Sequence, residues 1–387
     1  MSIAMKFILL VLAIITSLYP RLRLVVSATA ADDADVVADN NSSFVVAGYL
    51  PDYRGYINVN STAIHLTDLM LFSLTPESIL RRYSDVNTLL TNQGGGCCLT
   101  SEHFDLTRKA RSYKKEHQPR KNIRILVTIG GGGRSNGFKE LVTGGAKVQR
   151  QFIKALVDLC RDEVLDGIDF DFEGIQSLEE WKAYLAFLSV ASTYLHRENL
   201  FITVALHPGQ LLPTEVCQRV DRVHVMTYDM MPSPQPKNSD NKPNNHHASI
   251  HSAQAALENF IRNGCHPSKL VMGIPAYARH EENMGLVRAY SEVVDDMLRD
   301  YDDISADIKT TIQSIRSWDG YLFDSPDDVR EKVNYATQMG LGGIFIWELG
   351  QDKQLAGIAE GGILLEEAAA AVANSLIISD DVPGDEL

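Results

Sequence analysis

Basic residues are scarce in this chain. Lys and Arg number 36 against 50 Asp and Glu, a formal net charge of −14. A surface of that sign repels phosphate backbones and anionic headgroups, which speaks against nucleic acid and a charged membrane as partners. The apolar stretch Phe7–Leu18 covers twelve residues, where about twenty are needed to cross a bilayer as a helix. Cysteines are few: Cys97, Cys98, Cys160, Cys217 and Cys265. None has metal-ligand spacing, so neither a metal nor a cofactor is expected. The odd count leaves one thiol outside any intramolecular pair, and the pairing of the rest cannot be read from spacing. Cys160 lies in an apolar helical stretch and reads as a small core residue.

The two ends carry address-like patterns. Lys6, the apolar stretch Phe7–Leu18 and the small-residue end Ala28-Thr-Ala30 fit a secretory signal peptide over residues 1–30. An uncleaved anchor is the alternative, but the apolar stretch is short for it. Asn40, Asn41 and Asn60 each open an Asn-x-Ser/Thr triplet, compatible with glycosylation in a secretory pathway. Residues 377–387 read as an acidic tail. Their end, Gly384-Asp-Glu-Leu387, resembles the Lys-Asp-Glu-Leu retrieval signal. Secretion is therefore expected, with the endoplasmic-reticulum lumen as the alternative.

Between these ends, over residues 44–376, short apolar runs alternate with amphipathic stretches. The runs are Phe44–Tyr49, Leu69–Leu74, Ile123–Ile129, Gly167–Phe172, Phe201–Leu206, Arg222–Tyr228, Leu270–Tyr277 and Gly343–Trp347. Helices are expected at Val148–Glu163, Leu178–His196, Ser252–Asn263 and Pro326–Met339. Ser325 supplies a cap to the last of these, with Pro at the first position and acids in the first turn. Strands alternating with helices predict a parallel sheet, and eight of them a closed (β/α)8 TIM barrel. Residues 229–251 read as a long polar loop after the sixth strand. Residues 280–324 follow the seventh strand and read as mostly helical, too short for a full α+β insertion subdomain. Both segments leave the face on which such barrels place their sites.

Chemistry concentrates in Asp166-Gly-Ile-Asp-Phe-Asp-Phe-Glu173. On a strand, Asp169, Asp171 and Glu173 share one face, about 6.5–7 Å apart in turn, and Ile168, Phe170 and Phe172 share the other. With the apolar face under the helices, three acids line up inside the barrel. Such a row cannot all ionise cheaply, so at least one carboxyl keeps its proton at neutral pH. Burying three acids gains nothing structurally. A metal would explain them, but no histidines stand at ligand spacing nearby.

This run resembles the signature of the family 18 glycoside hydrolases, the chitinases and their relatives. Thr128-Ile-Gly-Gly131 is similar to the third-strand Ser-x-Gly-Gly of that family, with Thr replacing Ser. Met226-Thr-Tyr-Asp229 resembles its sixth-strand motif, Gly273-Ile-Pro-Ala-Tyr-Ala-Arg279 its seventh, and Trp347 its eighth-strand tryptophan. The resemblance implies roles. Glu173 would protonate the glycosidic oxygen while the substrate's own 2-acetamido oxygen attacks, an exception to the two-carboxylate scheme. Asp171 would steady the acetamido group and share a proton with Asp169. Tyr228 would align the acetamido carbonyl, Trp347 would floor the site, and Tyr49, Met226, Asp229, Gly131 and Tyr277 would be neighbours of the substrate. Arg279 would either orient the cleft carboxylates or bridge barrel loops. Without the motif, Trp347 and Tyr49 read as core aromatics. His246, His247 and His251 read as surface or cleft-rim residues of a polar loop. The Gly130–Gly133 run lacks the Lys-Ser/Thr of a phosphate loop.

The implied substrate is chitin or an N-acetylglucosamine oligosaccharide, acted on by a monomer. An endo-β-N-acetylglucosaminidase on N-glycan cores would use the same acids. A chitin-binding lectin is the third reading, disfavoured because all three acids are present. No carbohydrate-binding module or Ser/Thr/Pro-rich linker follows the barrel in this sequence, and shorter soluble glycans are expected over crystalline chitin.

Overall fold

The strands that close on one another are β1 (Val45–Pro51), β2 (Asp68–Leu74), β3 (Arg124–Gly130), β4 (Gly167–Asp171), β5 (Phe201–Leu206), β6 (Arg222–Val225), β7 (Leu270–Pro275) and, after four short strands, β12 (Gly343–Trp347). The computed structural model describes residues 44–54, 57–83, 99–230, 246–300 and 308–380. The eight strands pair in parallel in the closed order β1-β12-β7-β6-β5-β4-β3-β2, with helices on the connections. This is the expected (β/α)8 barrel. The signal-peptide stretch, Asn40, Asn41, Cys97, Cys98 and the final tetrapeptide lie outside the described residues. Among the described residues no helix is long and apolar enough to cross a membrane.

Side-chain alternation divides the barrel as the sequence implies. Ile168 and Phe170 of β4 point outward and are fully buried. The Phe170 ring meets Phe187 of the helix Leu178–Arg197 edge-on at 5.3 Å between centroids. Each such buried ring contributes roughly 2–3 kcal/mol of transfer free energy. That helix begins where Ser177 accepts a hydrogen bond from the Glu180 N–H at 3.1 Å. Ser325 caps the helix Pro326–Gln338 in the same way, and its own N–H donates to Asp328 at 2.9 Å. This is the reciprocal box that the sequence pattern promises.

Ionic pairing plugs the end of the barrel remote from the site. Asp68, at the start of β2, accepts hydrogen bonds from Arg124 at 2.7 Å and Arg222 at 2.8 Å. Burial alone would raise its carboxyl, but Arg222, Arg124 and Thr67 outweigh that and lower it. Arg124 lies over the Phe201 ring at 3.7 Å. The opposite end is left free for chemistry.

Three differences from the sequence reading have local causes. First, β6 ends at Val225 and not at Tyr228, because Thr227 turns its hydroxyl onto the Gly273 carbonyl at 2.6 Å. Second, the run Leu270–Tyr277 breaks at Ala276, whose N–H donates to the Trp347 carbonyl at 2.7 Å. Tyr277 instead opens β8 (Tyr277–His280). Third, the segment after β7 is not mostly helical. β8, β9 (Val287–Ala289), β10 (Ser317–Trp318) and β11 (Tyr321–Leu322) form an antiparallel sheet in the order β10-β11-β8-β9, beside the helix Tyr290–Asp300. Strands of two to four residues are too short to show alternation. The insertion is thus a small α+β unit. The final helix runs past residue 376 to Asp380, into the stretch that the sequence reads as tail.

Candidate active site

The acid row lies at the mouth of the barrel. Asp169 and Asp171 are buried on β4, and the Glu173 side chain, just beyond the strand end, is 28 % exposed. Registry places Thr128 of β3 and Thr203 of β5 directly beside Asp169. Their hydroxyls donate to its carboxylate at 3.0 and 2.6 Å, and Tyr49 of β1 donates at 3.1 Å. Burial nevertheless dominates and pushes the Asp169 pKa up to about 6, against the lowering effect of the three hydroxyls. Among the described residues, no hydrogen bond joins Asp169 to Asp171.

Behind this layer, His224 Nδ1 lies 2.8 Å from the Tyr49 hydroxyl. Since Tyr49 donates to Asp169, the tautomer that completes the chain carries its proton on Nδ1. Burial lowers the pKa of this imidazole to about 3, so it stays neutral. His224, on β6, was not singled out from sequence, although it alternates with Met226 and Tyr228 in the apolar run Arg222–Tyr228.

Asp171 has burial as the first cause of a strongly raised pKa, followed by the nearby Glu173 and Asp169. Burial thus favours the protonated form of this carboxyl. Its Oδ1 has no hydrogen-bond partner among the described residues. The Asp171 carbonyl accepts the Gly131 N–H at 2.7 Å. Gly131 has φ +100°, and a Cβ there would fall 2.2 Å from the Phe72 ring. Only glycine fits so close to the acid. The Glu173 N–H donates to Ser135 at 3.0 Å, and Glu173 Oε2 lies 3.4 Å from Nε2 of His207. His207, just past β5, is a further residue that sequence reasoning missed. Its position beyond a strand end, on the same barrel face, was the available signal.

Aromatic rings floor the cavity in front of these acids. Trp347 meets Phe72 edge-on at 4.7 Å and Tyr49 at 5.4 Å. Tyr228, Met226, Asp229 and Trp347 all line this space of about 240 Å³. Burial holds the Tyr228 phenol far above its ordinary pKa, so it is a neutral donor. At the rim, Tyr53 is 55 % exposed, and Arg134 holds Asp52 with two hydrogen bonds of 2.8 and 2.9 Å. A second space of about 510 Å³ shares Gly132 and Glu173 with the first and is lined by Asn136, Lys139 and Gln176. Glu173 therefore stands in the wall between an aromatic chamber and a polar one.

Asp229 is the best-held acid of the cleft. Tyr277 donates to it at 2.6 Å and Arg279 Nη2 at 2.5 Å, with a second contact from Arg279 Nε. Arg279 thus orients a cleft carboxylate. Burial would raise Asp229, but His247, Arg279 and Tyr277 outweigh it and hold the group well below the usual carboxylate range. His246 and His247 are not surface residues. His247 is fully buried and the His246 side chain is only 10 % exposed, because the end of the loop folds back against β8 and the insertion. His251 is exposed, as expected.

Comparison with known proteins fits this geometry. The family described as glycosyl hydrolases family 18 matches residues 56–352. The chain belongs to that family. Among curated relatives, Endochitinase 1 of Metarhizium robertsii is 24 % identical over 275 residues, covering 60 % of this chain and 63 % of that protein. A class V chitinase of Lotus japonicus is 24 % identical over 286 residues, 63 % of this chain and 71 % of that one. The chain thus spans less than two thirds of the first relative's length. Two solved structures share the fold. The family 18 chitinase ChiB of Flavobacterium johnsoniae superposes with a TM-score of 0.63 at 21 % identity, covering 86 % of this chain and 95 % of that one. The family 18 chitinase of Cycas revoluta, in complex with (GlcNAc)3, gives 0.63 at 20 % identity, covering 84 % and 99 %. Among the described residues of this family 18 barrel, no group of His, Cys, Asp and Glu could hold a metal ion.

Proposed function

We propose that this protein hydrolyses β-1,4 linkages of N-acetylglucosamine-containing glycans by a retaining, substrate-assisted mechanism. The observation that carries the reading is the acid row: a buried Asp171, its carboxyl pushed up by burial, beside a part-exposed Glu173, facing an aromatic-floored chamber. A sugar ring lies on Trp347, and the Tyr228 O–H donates to its acetamido carbonyl, which fixes that oxygen for attack. Glu173 gives its proton to the glycosidic oxygen. The acetamido oxygen bonds to the anomeric carbon as the C–O bond breaks, and the leaving sugar departs as an alcohol. The Asp171 proton passes to Asp169, and the Asp171 carboxylate then accepts the acetamido N–H and steadies the oxazolinium ion. The Glu173 carboxylate then takes a proton from water, whose oxygen attacks the anomeric carbon and reopens the ring. Met226 and Asp229 line the chamber around the sugar, Gly131 lies behind it against Phe72 and Asp171, and Tyr277 and Arg279 fix Asp229.

The relative from Cycas revoluta binds (GlcNAc)3, which supports this substrate class. A second reading, endo-β-N-acetylglucosaminidase action on N-glycan cores, is favoured by the polar chamber beyond Glu173. That chamber gives a hydrophilic leaving group room. The Cys217–Cys265 disulfide supports an oxidising compartment, in keeping with secretion or an endoplasmic-reticulum location. The experiment is to offer chitotetraose and a high-mannose glycopeptide side by side and identify the products by mass. Cleavage of chitotetraose supports the first reading, and release of the glycan from the peptide supports the second. Binding of either without cleavage returns the lectin.

A further inference from the structure

The loop after β6 reaches back into the site through two stacked histidines. His246 and His247 lie parallel, with ring centroids 5.6 Å apart and 5° between planes. His247 Nδ1 is 3.3 Å from Asp229 Oδ1 and 3.4 Å from the Asp229 N–H. The His247 carbonyl accepts the Met230 N–H at 3.0 Å. Ring and backbone of one residue thus clasp the 229–230 corner, where Asp229 holds a left-handed φ of 54°. Aspartate adopts that conformation more readily than most side chains, and His247 packs against it.

The clasp is anchored away from the loop. His246 Nδ1 accepts the Ala248 N–H at 3.1 Å, which leaves its proton on Nε2, 3.7 Å from Asp324 Oδ1. Asp324 and Lys332 form an ion pair, 2 % and 1 % exposed. Lys332 belongs to the helix Pro326–Gln338 and Asp324 to the end of the insertion. A buried ion pair adds little net stability against a well-packed apolar pair, so fixing geometry is a use for it that stability is not. The contacts run from that helix through Asp324, His246 and His247 to the Asp229 carboxylate.

We propose that His247 is a positioning residue for the reaction. From the loop side it holds the carboxylate that Arg279 and Tyr277 hold from β8, and so fixes the Tyr228–Asp229 pair against the sugar. His246 and the Asp324–Lys332 pair back it. This inference rests on the functional reading above.

Two substitutions separate positioning from packing. His247→Asn keeps a polar atom near the place of Nδ1 and loses ring volume. His247→Phe keeps the ring and the stack and loses the nitrogen. Turnover of chitotetraose, affinity for (GlcNAc)3 by calorimetry and the thermal midpoint are measured for each. Positioning reverses the two orders: the Asn variant unfolds at the lower temperature yet stays within about threefold of the unaltered protein in kcat/KM and affinity. The Phe variant unfolds at the higher temperature and loses tenfold or more in both. The proposal is overturned if the Phe variant stays within threefold, or if activity follows thermal stability across the pair. Failure of the unaltered protein to cleave chitotetraose overturns the functional reading instead, and the (GlcNAc)3 affinities of the two variants still decide on His247.

Discussion

His207 Nε2 lies 3.4 Å from Oε2 of Glu173, so an imidazole just past β5 faces the carboxyl at the centre of the site. The hydrogen bond to Glu173 is the largest cause of a raised His207 pKa, against the opposing effect of burial. A histidine raised on folding contributes stability below its unfolded value, about 6.5, and loses it as pH rises through the folded value. His207→Gln should therefore unfold at a lower temperature than the unaltered protein at pH 5.5, with the gap closing by pH 9. The His207 side chain is 49 % exposed, and solvent screening limits the effect to about 1 kcal/mol or less. Thermal unfolding at the two pH values checks this. An equal gap at both would show that the contact carries no charge.

Glu173→Gln keeps the size of the side chain and removes the acid. Turnover of an N-acetylglucosamine oligomer should fall by about a thousandfold or more, since general acid catalysis and the later base step are both lost. Affinity for the same oligomer should change by less than about tenfold, because the Trp347 floor and Tyr228 remain. Steady-state kinetics and calorimetry on one preparation measure both.

Asp169 tests the electrostatic side of the account. Its folded value of about 6 lies above the unfolded value of about 3.9, so the native state holds this proton more tightly. The contribution is full below the unfolded value and is lost as pH rises through about 6. Asp169→Asn removes the buried charge and should raise stability by about 1–3 kcal/mol at pH 7.5, with no gain at pH 4. Turnover should fall tenfold or more. Denaturant unfolding at the two pH values checks the sign.

Much of this site was legible in the sequence because strand parity is a strict rule. Asp169 and Asp171 face inward and Ile168 and Phe170 outward, as alternation on β4 requires. The strand–helix alternation carried the barrel. Contacts made across distant parts of the chain were not legible. His247 sits in a polar segment yet is fully buried, because Asp229 and Tyr277 lie against it. The β8–β11 sheet forms from strands too short to leave a pattern. The pairing of Cys217 with Cys265 needed the closed barrel to bring two connections together.

That disulfide spans 48 residues, for which chain entropy gives a stabilisation of about 4 kcal/mol, with about 2–4 typical of measured bridges. Both cysteines lie on connections leading into strands, at the end of the barrel opposite the site. Cys217→Ser should lower stability by about 2–4 kcal/mol while leaving turnover at 25 °C within about twofold. Cys160, buried with its thiol pushed up to about 12, should resist alkylation in the native state. Unfolding curves with and without reductant, followed by thiol counting, test both statements.

The central claim is that Glu173 acts with the substrate's own acetamido group, which requires two displacements at the anomeric carbon. Proton NMR of chitotetraose during the first minutes of hydrolysis reads the new reducing end before mutarotation. The β-anomer should form first and the α-anomer grow in later. An α-anomer formed first would contradict it.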